Sequence, residues 1–577
     1  MFSSKVPLFC ADQVIVCSTG VQQGDPLGPL LFAAGIHKIL EEVKNRWGAI
    51  WSVWYLDDGS IMGRIEDLND ILAYLEERFG HIGLVVNFDK CHILTARDSL
   101  EACSHLRQVE RHGLAEKEGI LVLGTPVGGD QFVSGFLDNA VIKVESFCKK
   151  VFALHASQTG VSMLRLCAGF CRVVHLIRVL DPEKLGNFPL RVDNVMINSF
   201  QRVTGVALSS EMMCQLHLPL CMGGFGIFSV QLLAGSLYVA AMVRYSTEGQ
   251  DSIGIPNAIF SVSLNVAHVL ERLGNEYPKL RQFVNVLVPR FSCRENVLQL
   301  SDHRRWSEII YDHHFQLMVN SASVRNKARL LCLKNPLSGA WLAACPAPAL
   351  GLQLTNAEFN VLVRWRLGCE IGEECGVCSI CGSAANSFGD HLVCCQRNGV
   401  IRRHNAIVHY LSKVASASGL PHRLECSVDG ESRERPGDIM MLRWEGGGMY
   451  MVDVCVSHPL ALSKVWSSVR TGRECLEAAE AGKRRKYSGL IQNIDKSYTV
   501  FAVSSFGQLS VGAESFLNEM MSCYSTDESS VEEAELNKVK IVQQLQIVIH
   551  RELARMLLVG YRSVVRVDPL EGDPLYS

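Results

Sequence analysis

Apolar and polar positions change their period several times along the 577-residue chain. Within 18–43, Leu30, Leu31, Ile36, Ile39, Leu40 and Val43 recur at three- and four-residue spacing, which predicts an amphipathic helix after a Gly/Pro-rich start. "AIWSVWYLDDGSIMG" then reads as two strand-like runs hinged at Asp57-Asp58-Gly59. From 136 to 365 helical periodicity dominates, as in Leu137, Val141, Val144, Phe147, Val151 and Leu154. Residues 366–400 are dense in Cys, Gly and polar side chains, and mixed α/β patterning returns over 401–523. "YSTDESSVEEAEL" (524–536) reads as an acidic linker. An amphipathic helix follows, with Val539, Ile541, Leu545, Ile547, Ile549, Leu553 and Leu557 among its apolar positions. The expectation is an α/β (α+β) multidomain chain with blocks 1–135, 136–365, 366–400, 401–523 and 524–577.

Composition narrows the class. Hydrophobic content of 48% with 20% charged residues describes a folded globular protein. A formal net charge of −3 gives no global basic field, so any nucleic-acid surface must be local. Twenty-two cysteines behind a start that lacks a signal-peptide core point to a reduced, intracellular setting. Residues 212–243 carry no Asp, Glu, Lys or Arg, yet include His217, Pro219 and Gln231, so the stretch reads as buried core. No clean run of about 20 apolar residues exists, and no membrane span is expected.

Adjacent aspartates in an apolar strand repel each other, and a divalent cation is the usual reason for such a pair. A hairpin tip bearing Asp57 and Asp58 projects carboxylates into a cleft, where two Mg²⁺ about 3.5–4 Å apart clamp an in-line displacement. In order and spacing, four motifs here resemble the reverse transcriptases of non-LTR retrotransposons. "GVQQGDPLGPLLF" is similar to that family's nucleotide-site motif and "YLDD" to its catalytic hairpin. "GLVVNFDKC" is similar to the following motif, with Lys90 at the family's lysine position, and "LVLGTPVG" to the primer-grip strand pair. The resemblance implies a polymerase palm acting on RNA and DNA inside the cell, at a nuclear site of action. It further implies Gln23, Gly24 and Pro26 at the nucleotide, Asp57 and Asp58 on Mg²⁺ or Mn²⁺, and Lys90 as a catalytic residue. The parent activity is RNA-directed DNA synthesis primed at a nicked chromosomal target. In the family a first catalytic aspartate precedes these motifs, whereas only nineteen residues precede Gly20 and their sole acid is Asp12. The expectation is therefore an N-terminally truncated, partial palm without polymerase activity. "LPLCMGGFGIFSV" and "SGAWLAACPAPALGLQL" are similar to the thumb and connector of these elements.

"CSICGSAANSFGDHLVCCQRNG" supplies Cys378-x2-Cys381, then His391 after nine residues and Cys395 after three more. Zn²⁺ takes four tetrahedral S/N ligands, and a CxxC pair lets two thiolates reach one ion from a tight turn. Cys375 and Cys394 are alternative ligands, and cysteine-rich core is the plain alternative.

After this knuckle come a helix with Ile401, Val408, Leu411 and Val414, and strand-like runs at 423–428, 437–444 and 448–458. A long helix ending in "AGKRRKYSG", a strand "YTVFAVSSF" and a helix "AESFLNEMM" follow. That order can bring Asp438 and Asp453 together on adjacent strands, and a charge within "MVDVCV" is costly unless it is paired or on metal. This is the pattern of PD-(D/E)xK nucleases. The knuckle, Arg403-His404-Asn405 and "RPGD" together resemble the restriction-like endonuclease at the C-terminus of site-specific non-LTR elements. The resemblance implies Mg²⁺ on Asp438 and Asp453 and a catalytic lysine. Cys455 stands two after Asp453, so the lysine must have migrated to the next helix, with Lys486 the first choice and Lys483 the second. Glu425 is an accessory acid. A solvated basic helix end at Lys483–Lys486 is the bland alternative, and an inactive nucleic-acid-binding remnant is the rival function.

Overall fold

The structure, a computed structural model, describes residues 6–10, 13–17, 20–21, 24–48, 50–95, 118–253, 262–287, 302–372, 376–378, 380–425, 437–442, 444, 448–492, 497–524 and 531–564. It is a mixed helix and sheet chain in two compact units, Met1–Asn139 and Ala140–Ser577.

In the first unit, β1 (Val6–Cys10) and β2 (Gln13–Cys17) pair antiparallel. Helix α1 (Gly28–Arg46) has Pro29 in its first turn, where a missing N–H costs nothing. Hairpin β3 (Trp51–Tyr55) and β4 (Asp58–Met62) closes by pairing Tyr55 with Asp58. Gly59 is required there, because a Cβ would sit 2.5 Å from the Trp54 ring lying across it. Helix α2 (Ile65–His81) packs Ile71, Leu75 and Phe79 against Ile36, Ile39 and Val43 of α1, with Trp54 and Ile61 of the hairpin on the same core. Leu30 stays exposed, since the α1 stripe begins to face the core only at Ile36. Strands β5 (Gly119–Val122) and β6 (Thr125–Gly128) form a second hairpin.

Helix α3 (Asp130–Phe152) leads into the second unit and ends two residues short of the expected Leu154, which is exposed. One stretch, Ser157–Val179, is long and apolar enough to cross a membrane by length and composition. Gly169 (φ 53°) breaks it into α4 (Ser157–Cys167) and α5 (Phe170–Val179). Val161, Leu164, Val173, Leu176 and Ile177 are buried there. The uncharged run 212–243 continues into α6 (Val230–Ile253), with Leu233, Leu237, Tyr238 and Val239 buried. Buried Asp193 accepts hydrogen bonds from Val230 N (2.7 Å) and Ser229 Oγ (2.5 Å), satisfying the helix N-terminus.

Helices α7 (Val324–Leu333), α8 (Asn356–Leu367) and the short α9 (Asp390–Cys394) precede α10 (Val400–Ala417). A four-stranded sheet follows, in the order β10-β9-β8-β7. Its strands are β7 (His422–Leu424), β8 (Ile439–Met441), β9 (Tyr450–Ser457) and β10 (Ser497–Ser504). Strands β9 and β10 are parallel and joined over α11 (Glu474–Gln492), whereas β7–β8 and β8–β9 are antiparallel. Ile407, Leu411 and Val414 of α10 cover one face with Phe516 and Met520 of α12 (Val511–Tyr524). Ile401 was expected on that apolar face but is exposed, because the inward positions begin at Arg403 and Ile407. The expected linker is shorter than 524–536: α13 (Val531–Val564) already begins at Val531, where Glu532 and Glu533 favour a helix start. That helix is buried along its middle and packs on α8 and α10, with Gln546 Nε2 donating to Gly507 O at 2.7 Å.

Candidate active site and metal centre

Residues of the first unit implied for polymerisation lie at its surface. Asp57 sits in the β3–β4 turn beside Leu56, whose φ of 56° tightens the hairpin, and Asp58 opens β4; both are exposed. Lys90 ends a 3₁₀ turn, Phe88–Lys90, and is exposed. Gly24 (φ 94°) and Pro26 precede α1, while Gln23 and Asp12 lie outside the described residues.

A second acidic group forms on the sheet. The β8–β9 register pairs Ile439 with Val452, which sets Asp438 across from the Asp453 segment. Asp438 N donates to Val452 O at 2.9 Å, and Asp438 Oδ2 accepts from Val454 N at 2.6 Å. His404, on α10, brings Nε2 to 3.2 Å from Asp438 Oδ2 and 3.1 Å from Val454 O, and the Asp438 bond pushes the imidazole up. Asp453 is buried. Burial pushes its carboxyl above the usual range and the like charge of Asp438 adds to this, against the opposing pull of Lys483.

Lys483 Nζ lies 3.1 Å from Asp453 Oδ1 and 3.0 Å from Oδ2, and Tyr498 OH donates to Oδ2 at 3.2 Å. Of the two lysines only Lys483 meets Asp453: Lys486 Nζ bonds Tyr487 OH at 2.9 Å instead. The reason is helical phase. Leu476, Glu480, Lys483 and Tyr487 form the inward stripe of α11, while Lys486 is exposed beside it. Glu425 is exposed, and its N–H donates to Asp438 O at 3.0 Å.

His404 and Tyr498 carry contacts that the sequence did not assign to them. His404 stood in the sequence only within the Arg403-His404-Asn405 motif, and Tyr498 comes near Asp453 only through the β9–β10 pairing, Tyr498 opposite Met451.

The knuckle comes together locally. Cys378 N donates to Ser383 O (2.7 Å) and Gly382 N to Cys378 O (2.9 Å), with Gly382 at φ 78°. Helix α9 then returns His391 to this turn. One ligand atom each from Cys378, Cys381, His391 and Cys395 lies within 4.8 Å of the others, the only such His/Cys/Asp/Glu cluster of three or more among the described residues. Cys381 Sγ is 3.1 Å from His391 Nε2, and its thiol is brought down to about 6, first by hydrogen bonds from Ser383 and then by His391. These donors suit a tetrahedral ion with bonds of about 2.0–2.3 Å. Cys394 stands outside the set, its thiol pushed up to about 11 by burial, and Cys375 lies outside the described residues. Asp390, next to His391, receives Arg325 Nε (2.6 Å) and Nη2 (2.8 Å), and buried His458 Nε2 is 3.5 Å away.

The family comparison bears on the first unit. Residues 3–127 match the family described as reverse transcriptase (RNA-dependent DNA polymerase). The chain is similar to the retrotransposable element SLACS 132 kDa protein of Trypanosoma brucei gambiense, 21% identical over 208 residues. That alignment covers 36% of this chain and 17% of the relative, so the chain spans a minor part of that protein's length. Residues 3–127 are thus similar to reverse transcriptases, and the chain is similar in part to a retrotransposon protein.

Proposed function

We propose that the chain is a retrotransposon-derived reverse transcriptase portion whose second unit includes a metal-dependent DNA endonuclease domain. Residues 1–135 are a partial palm, 136–365 the thumb and connector, 366–400 a zinc knuckle and 401–523 the nuclease, with 524–577 as its C-terminal helix region. DNA and RNA are the partners, a membrane is not, and the site of action is nuclear. The observation that carries the proposal is the convergence of Asp438, Asp453 and Lys483 from β8, β9 and α11.

Two neighbouring carboxylates, one of them buried and resisting ionisation, are a donor set that suits a divalent cation. Asp438 and Asp453 would hold Mg²⁺ or Mn²⁺, which when bound polarises a phosphodiester and acidifies water. Lys483 stabilises charge that develops on the phosphate oxygens as the attacking oxygen bonds phosphorus and the sugar oxygen departs. His404 and the Val454 N–H fix the orientation of Asp438, and Tyr498 fixes that of Asp453. Cys378, Cys381, His391 and Cys395 would hold Zn²⁺ with four protein donors, a closed and therefore structural site.

For the palm we propose nucleic-acid binding without synthesis. Asp57 and Asp58 come from a single hairpin, and in-line displacement with two ions needs carboxylates from more than one segment. The test is nicking of supercoiled plasmid by the purified chain with Mg²⁺ or Mn²⁺, beside Asp438→Ala and Asp453→Ala and a primer-extension assay. Loss of nicking in both variants, with no extension, is expected. A parent chain that binds DNA and never nicks it would move the assignment to an inactive binding remnant.

A further inference from the structure

The segment joining β9 to α11, "PLALSKVWSSVRTG", carries two of the most exposed large apolar side chains described, Leu462 (86%) and Trp466 (72%). Exposure here does not come from a loose loop. Ala461 O accepts from Lys464 N (2.8 Å) and Val465 N (2.9 Å), and Lys464 O accepts from Ser467 N (3.1 Å) and Ser468 N (3.0 Å). These two helical turns set Leu462 and Trp466, four residues apart, on one side. Leu460 and Ser468 are buried, Lys464 Nζ donates to Ser457 Oγ at 2.9 Å, and Cys332 Sγ meets Gly472 O at 3.3 Å. Gly472 itself (φ 79°) lies against the α7 backbone, where a Cβ would be 2.7 Å from Leu331 C. The platform is anchored at both ends.

Its charge points to the occupant. Between His458 and Glu474 there is no acid, while Lys464, Arg470 and Arg473 are basic, in a chain whose net charge is −3. Lys464 bonds Ser457, four residues along β9 from Asp453, so the root of the platform lies on the strand that carries Asp453. Arg473 is paired with Glu514 at 4.0 Å, which leaves Lys464 and Arg470 as the basic groups of the platform, and an exposed ring and a branched aliphatic side chain beside them match the recognition of unstacked bases, which combines aromatic stacking with phosphate attraction.

We infer that Leu462 and Trp466 form a stacking platform for an unpaired or unstacked base of the DNA strand beside Asp438 and Asp453, so that this site prefers DNA that opens easily. The inference deepens the endonuclease assignment, and its test is read without cleavage. In the Asp453→Ala chain with no added Mg²⁺ or Mn²⁺, affinity is measured for a single-stranded oligonucleotide and for the same oligonucleotide with abasic sites. Trp466→Ala is expected to weaken binding of the first about 5- to 100-fold and to leave the second within about two-fold, with Trp466→Phe restoring most of the loss. Unchanged zinc content and thermal midpoint would show that the variant is folded. Equal loss on both oligonucleotides, or no loss on either, overturns the platform, as does self-association through this surface that Trp466→Ala abolishes while DNA binding is unchanged. Base-dependent binding in a parent chain that never nicks would keep the platform and remove the nuclease.

Discussion

Replacing Lys483 by Met, beside Lys486→Met, separates a reaction centre from a basic surface. The Lys483 ammonium lies 3.0 and 3.1 Å from the two Asp453 oxygens, with its side chain a third exposed. At that separation the gross attraction is about 5 kcal/mol at an effective dielectric near 20, and solvent reduces what the reaction can use. Removing one group aimed at transition-state charge costs about 3–4 kcal/mol, or roughly 10²–10³ in rate. Single-turnover nicking of supercoiled plasmid should therefore fall by about that factor in Lys483→Met, while affinity with no added Mg²⁺ or Mn²⁺ changes by less than about three-fold. Lys486→Met should stay within about three-fold in both, since its Nζ contacts Tyr487 OH rather than an acid. A Lys483→Met chain nicking within about ten-fold of the parent would refute the assignment. So would an equal loss in Lys486→Met, which would make the patch one of plain phosphate attraction.

The zinc assignment predicts one Zn per chain by metal analysis, with Cys381→Ser and His391→Ala each losing the ion and lowering the thermal midpoint by more than about 5 °C. Arg325→Met should destabilise the second unit by about 3–5 kcal/mol, because it strands buried Asp390, and the Arg325→Met/Asp390→Asn pair should lose less than the sum of the singles in a denaturation cycle. Burial opposes ionisation of Asp390, but the His458 and Arg325 contacts win and hold its carboxyl well below the usual range. Its contribution is thus present above the unfolded carboxylate value and disappears as pH falls through the folded one, which acid titration of stability in the parent and Asp390→Asn checks. Nicking at low Mg²⁺ should rise with pH, with a midpoint above an ordinary carboxylate's, since burial makes Asp453 harder to ionise and His404⁺ competes for Asp438 until it deprotonates. His404→Gln should move that midpoint down, and an unmoved profile would exclude His404 from it.

Local chemistry was legible in the chain. Four zinc-type donors fall within residues 378–395, where covalent spacing and two left-handed glycines, Gly382 and Gly389, bring them together. The β3–β4 hairpin, the apolar stripes of α1 and α10 from Ile407 onward, and the uncharged core run 212–243 follow from periodicity, because burial of one face is what holds each element. The places where the sequence misled share one cause: direction. Leu30, Leu154 and Ile401 have the right spacing but lie where the helix end or turn faces water. Lys486 and Lys483 are three residues apart, and only the packing of α11 on β9 and β10 turns Lys483 toward Asp453. Asp438 and Asp453 become neighbours through the Ile439–Val452 register, which no local pattern specifies, and His404 and Tyr498 join them from α10 and β10. Residue types and short spacings determined which chemistry the chain could carry. Strand register and helix phase, set by contacts between residues distant in sequence, decided which of those side chains meet.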